Sequence, residues 1–117
     1  MENSKVTELT YLKEASANNN AFLKNMIQIF LDQTPVLISE LIKKSQAEDW
    51  TEFRKIMHKV KPTFTMMGIR RLEEIVHKID AAVKQGIERE NLPSLITDME
   101  KICQLAYAEL KDELKVL

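Results

Sequence analysis

Turn-forming residues are scarce in this chain, which carries two glycines and three prolines in 117 residues. A fold of many short strands needs more of both at its corners, so an all-helical architecture is the economical reading. Cysteine is nearly absent. With Cys103 alone, neither an intrachain disulfide nor a multi-cysteine zinc site can form, and its place in an apolar helical run predicts a buried thiol. Charge of one sign is not in excess: 17 Lys and Arg stand against 18 Asp and Glu, a net of −1. That argues against general nucleic-acid binding, which needs a broad basic surface to displace counterions from phosphate. No apolar run approaches the ~20 residues that span a bilayer. The N-terminal stretch is polar and of mixed charge, so the expectation is a cytoplasmic protein with no membrane partner. The tetrad Lys111-Asp112-Glu113-Leu114 spells an endoplasmic-reticulum retention signal, but three residues follow it and such signals are read at the extreme C-terminus.

What the chain does hold is 44% hydrophobic and 30% charged residues, the balance of one soluble globular domain spanning 1–117. Val6 to Ala15 can make a short helix with Val6, Leu9 and Leu12 or Tyr11 on one side, ended by the asparagine cluster Asn18-Asn19-Asn20. From Ala21 to Asp32 the spacing puts Phe22, Met26, Ile29 and Phe30 on one stripe. Thr34-Pro35 then resembles a cap followed by proline at the first helical position, where the helix bends and continues through Leu37, Ile38, Leu41 and Ile42. Asp49-Trp50-Thr51-Glu52 reads as a capping box opening a helix with Phe53, Ile56, Met57, Val60, Phe64 and Met67 inward. A further run, Ile69, Leu72, Ile75, Val76, Ile79 and Val83, stops near Gly86. Asn91 and Pro93 open the last helix, whose apolar face is Leu95, Ile96, Met99, Ile102, Cys103, Ala106 and Leu110. Four amphipathic helices with short connections predict an all-α, up-and-down four-helix bundle, with the short N-terminal helix as an end cap.

His58 is out of step with its helix's apolar stripe. At about 100° per residue it points roughly 140° away from the mean core direction, on the side of Thr51, Arg54, Pro62 and Thr65. Arg54, Lys55, Lys59 and Lys61 crowd the same stretch, a local basic window that invites an anionic partner. A neutral imidazole exposed there is a competent nucleophile or ligand, and neighbouring cations favour the neutral form. Pro62 removes the helical bond back to the His58 carbonyl, which either bends the helix beneath the histidine or simply wraps it around the core.

The stretch His58-Lys59-Val60-Lys61-Pro62-Thr63-Phe64-Thr65-Met66-Met67-Gly68 resembles the phosphoacceptor motif of histidine-containing phosphotransfer (HPt) domains. In that family the histidine is followed by an apolar residue at +2, Lys at +3, usually Gly at +4, hydroxyl or small residues, and Gly at +10. Val60, Lys61, Thr63 and Gly68 match, and Pro62 departs from the pattern. The resemblance implies a four-helix bundle of about this length, His58 as phosphoacceptor and Lys61 as the cation beside the phosphoryl group. It makes Gly68 a small residue for close helix packing, and Pro62 a compact residue that bears on partner preference. Arg54, Lys55, Lys59 and Thr65 would then meet the partner. That partner is the receiver domain of a response regulator or hybrid sensor histidine kinase in a multistep phosphorelay of bacterial style. Magnesium would sit in the receiver, with no intrinsic cofactor or metal in this chain and no need for a dimer.

Other readings predict other features. Glu74-Ile75-Val76-His77 has the Glu-x-x-His spacing of di-iron bundles, but such sites need a second unit and two more glutamates. His77 reads more simply as a polar-face residue, and Phe64, Met66 and Met67 as core filling. A helical adaptor that binds receivers or partner helices without chemistry is the alternative function, and an intact His58 counts against it.

Overall fold

The computed structural model describes residues 5–117 and contains five helices in order: α1 Thr10–Ala15, α2 Asn20–Gln46, α3 Trp50–Met66, α4 Arg71–Gln85 and α5 Leu92–Val116. A single 3-10 turn, Arg89–Asn91, precedes α5. The four long helices form a closed ring in which α2 packs on α3 and α5, and α4 packs on α3 and α5. Short connections force sequential neighbours to run antiparallel, giving the expected up-and-down bundle. The predicted stripes of α3, α4 and α5 meet at its centre, with Phe53, Met57, Val60, Leu72, Ile79, Met99, Ala106 and Leu110 all essentially inaccessible. No helix among the described residues is long and apolar enough to cross a membrane.

The helix α2 differs from the sequence reading. It runs unbroken through Pro35, and Thr34 is a buried interior residue rather than a cap. Its inward face is Leu23, Ile27, Phe30, Thr34, Ile38 and Leu41, while Phe22 and Ile29 are exposed and Met26 only partly buried. Two adjacent stripes sharing Phe30 satisfy the same three- and four-residue spacing, and packing against α3 and α5, where the Phe30 and Tyr107 rings lie 6.0 Å apart, buries the one that carries Leu23 and Ile27. An interior proline costs about 3 kcal/mol. Burial of Phe30 and Ile38 on either side, worth about 1.5–3 kcal/mol each, outweighs that penalty and keeps the helix whole.

Three local signals fare differently. Asp49 caps α3 by accepting from the Glu52 amide at 3.3 Å, but Glu52 turns to Lys55 rather than back to the Asp49 amide, so the capping box is half formed. Gly86 ends α4 in the left-handed conformation, φ +71°, as its position suggested. Before α1, the expected helix from Val6 does not form. Instead Val6 to Leu9 is a strap that buries Val6 and Leu9, with Leu12 rather than Tyr11 completing its apolar side. The Glu109 carboxylate accepts from the amides of Val6 at 2.7 Å and Thr7 at 2.9 Å, and the Glu8 amide donates to the Met67 carbonyl at 3.0 Å. These bonds replace the helical ones the strap forgoes.

Cys103 is buried in α5 as expected. Burial pushes its thiol up to about 12, against a smaller lowering by the Tyr107 hydroxyl.

Candidate functional site

The helix α3 carries Phe53, Ile56, Met57, Val60 and Phe64 inward, which leaves His58 and its neighbours Arg54, Lys55 and Lys59 exposed on the outer face. His58 lies midway along this helix, held by core packing on both sides, so its backbone is rigid while its ring meets solvent. The ring borders a surface hollow of about 670 Å³ between α3 and α4. Trp50, Arg54 and Lys59 line it from α3; Asp80 and Lys84 line it from α4. Five cations in all, Arg54, Lys55, Lys59, Lys61 and Lys84, face a single carboxylate there, that of Asp80.

Lys61 does not hang free beside the histidine. Its ammonium reaches across to α4 and meets the Asp80 carboxylate at 2.7 Å, both side chains being partly covered. Lys55 pairs with Glu52 at 3.2 Å on the exposed surface, a contact worth at most a fraction of a kcal/mol, about 0.2–1. No ion pair involves Arg54, Lys59 or Lys84 among the described residues. An anion entering the hollow therefore meets three unpaired cations, Arg54, Lys59 and Lys84, and two that are engaged, Lys55 and Lys61.

The floor is braced from outside the site. The Trp50 ring lies edge-on to Phe53 at 5.5 Å, and the Arg89 guanidinium sits 5.4 Å from its centroid. Arg89 also donates to the carbonyls of Ala82 and Val83, both at 3.0 Å, so one side chain closes the end of α4 and ties it to the start of α3.

Thr65 and Pro62 are exposed on α3 but do not line the hollow, and Thr65 instead borders a smaller cleft beside Ile69 and Leu72. The helix passes through Pro62 without interruption to Met66. Gly68 lies beyond the end of α3 with φ +65°, and a side chain there would place its Cβ 2.1 Å from the Glu8 carbonyl oxygen. The close packing it permits is thus against the N-terminal strap, not between helices. Sequence reasoning missed Asp80 and Lys84. A trace was present, since both flank the buried positions Val76, Ile79 and Val83 one helical turn apart, but only the pairing of α4 with α3 turns that flank toward His58.

Beside the hollow runs a second, apolar groove of about 570 Å³ between α2 and α3, walled by Met26, Ile29, Val36, Leu37 and Met66. Lys59 borders both depressions, so groove and hollow form one continuous surface. Elsewhere, Glu74 and His77 are exposed and Glu74 pairs with Lys78 at 3.4 Å; among the described residues no three His, Cys, Asp or Glu side chains converge.

No curated protein and no solved structure matches this chain significantly. A family model described as Hpt domain, however, matches residues 25–117, which takes in the whole of α3, α4 and α5 and all but the start of α2. The chain belongs to the Hpt domain family, the phosphotransfer modules of two-component phosphorelays.

Proposed function

We propose that His58 accepts a phosphoryl group from the aspartyl phosphate of a receiver domain and passes it to a second receiver aspartate. The observation that carries this reading is the exposed imidazole at the edge of a hollow lined by five cations. A ring nitrogen of neutral His58 attacks phosphorus in line. As the N–P bond forms, the acyl P–O bond breaks and its electron pair returns to the receiver carboxylate. The three equatorial oxygens carry the charge of the transition state, and Arg54, Lys59, Lys61 and Lys84 stand around the place they occupy. A cation 4 Å from such an oxygen contributes about 1 kcal/mol in water and about 4 kcal/mol at the dielectric of a protein surface. Magnesium belongs to the receiver's acidic pocket, and this chain supplies the nucleophile and the counter-charge.

Docking a receiver covers more than the hollow, because a specific interface takes about 800 Å² from each partner. The apolar groove adjoining Lys59 supplies the neighbouring surface, with Arg54, Lys55 and Lys59 as its charged rim. The protein acts in this reading as a cytoplasmic monomer, one histidine to a bundle.

The test is incubation with a phosphorylated receiver domain and Mg²⁺, followed by intact mass measurement on wild type and His58→Gln. An acid-labile, base-stable phosphate on wild type alone is expected. Retention of that phosphate in His58→Gln would overturn the site, and its absence from wild type across several receivers would leave the adaptor reading in its place.

A further inference from the structure

Asp80 is the one anion among the side chains that line the His58 hollow, and it holds Lys61 at 2.7 Å. Nothing in simple phosphate binding calls for it. A carboxylate beside an incoming phosphoryl group repels it, and this one also occupies a lysine that could otherwise stabilise it. The pair is not a buried structural necessity either, since the Lys61 and Asp80 side chains keep 36% and 23% of their surface exposed. A partly solvated ion pair of this kind can exchange partners.

On the reading that His58 is the phosphoacceptor, we propose that Asp80 is a positioning residue that sets how readily His58 gives its phosphoryl group up. In the unphosphorylated protein it draws the Lys61 ammonium toward α4. Phosphorylation brings up to two negative charges into the hollow, and Lys61 is then contested between the phosphoryl oxygens and Asp80. The carboxylate raises the free energy of phosphohistidine relative to free imidazole, directly by repulsion and indirectly by retaining Lys61. Asp80 takes no part in bond making or breaking. It opposes the five cations Arg54, Lys55, Lys59, Lys61 and Lys84 enough that the hollow holds the group in transit rather than trapping it. A carrier that must discharge to a second receiver requires that balance.

The experiment compares wild type, Asp80→Asn, Asp80→Glu, Lys61→Ala and the Asp80→Asn/Lys61→Ala double variant. Each is phosphorylated both by a phosphorylated receiver and by phosphoramidate, a small donor that needs no docking surface. The equilibrium between receiver phosphate and phosphohistidine should move toward phosphohistidine in Asp80→Asn by about three- to tenfold, the size expected of one charge acting across about 3–6 Å in a water-screened, solvent-open hollow. Asp80→Glu should return toward wild type. The effect should shrink in the Lys61→Ala background and at high salt. Phosphorus NMR against pH gives a readout that altered packing alone would not move: removing Asp80 should lower the pH at which the phosphoryl group takes its second charge. Phosphohistidine in wild type with an unmoved equilibrium and titration in Asp80→Asn overturns the role of Asp80 and leaves His58 as acceptor. Failure of wild type to take phosphate from either donor overturns the acceptor reading itself, and this inference with it.

Discussion

Replacing Gly68 by alanine should cost far more than the same change at Gly86, although both residues have positive φ. The left-handed conformation alone costs a side chain about 1–2 kcal/mol. At Gly86 nothing lies within 4 Å of the added Cβ, so that is the whole penalty. At Gly68 the Cβ falls 2.1 Å from the Glu8 carbonyl oxygen and 2.8 Å from its carbon, both backbone atoms. The strap has no slack to retreat. Its amides are bonded to Glu109 on one side and to the Met67 carbonyl on the other, and Val6 and Leu9 are seated in the core. Relief therefore breaks the Glu8 to Met67 bond, about 1 kcal/mol net, and partly unseats two aliphatic side chains worth about 1.5–3 kcal/mol each when fully buried. The sum is about 3–5 kcal/mol for Gly68→Ala against about 1–2 kcal/mol for Gly86→Ala. Urea unfolding followed by circular dichroism measures the difference, and hydrogen exchange should show the amides of Val6, Thr7 and Glu8 losing protection in Gly68→Ala only. Equal destabilisation by the two substitutions would refute the claim that the strap, rather than backbone conformation, demands glycine at 68.

Two further outcomes follow from the surface and the core. Ile29→Glu and Val36→Glu place charge in the apolar groove at exposed positions, so the melt should be little changed while receiver affinity falls by about tenfold or more; calorimetric titration checks this, and unchanged affinity would remove the groove from the interface. Cys103 should resist a disulfide-exchange reagent at pH 8 in the folded protein and react only as the chain unfolds, because burial holds its proton up to about 12. The sign follows from the same shift: a thiol that ionises later when folded favours the native state below its unfolded range, and that contribution is lost as the pH climbs from about 9 toward 12.

Periodicity made the bundle legible where one answer satisfied it. The helices α3, α4 and α5 each have one apolar stripe, and His58 falls opposite the stripe of α3 by counting alone. In α2 counting allowed two stripes, and the choice of Leu23 and Ile27 over Phe22 and Ile29 came from the shape of the partner helices, a property no window of its own sequence contains. Thr34-Pro35 misled for a related reason. Local propensity marks a helix start there, and tertiary burial overrides it. The strap looks helical from sequence because Val6, Leu9 and Leu12 have helical spacing, whereas its backbone is satisfied by Glu109, a residue at the far end of the chain.

The site divides along the same line. The histidine and cations contributed by α3 were visible, because His58, Arg54, Lys55, Lys59 and Lys61 lie within about two turns of one helix and their mutual placement follows from helix geometry, whereas Trp50, a turn further away, was legible only as part of a cap. The contribution of α4 was not, because it depends on which flank of that helix turns to α3. Once the two helices pair, Asp80 and Lys84 arrive in the hollow together, one turn apart and opposite in charge. The consequence reaches beyond the missing names. A histidine with lysines on its own helix describes a phosphate-holding surface; the same histidine facing an acidic residue from the next helix describes one with a counterforce. The first kind of surface favours capture, and the second favours passage. On the proposed reading, the balance between Lys84 and Asp80 on α4 tunes how readily His58 releases its phosphoryl group, and it is adjustable without touching the nucleophile or the core.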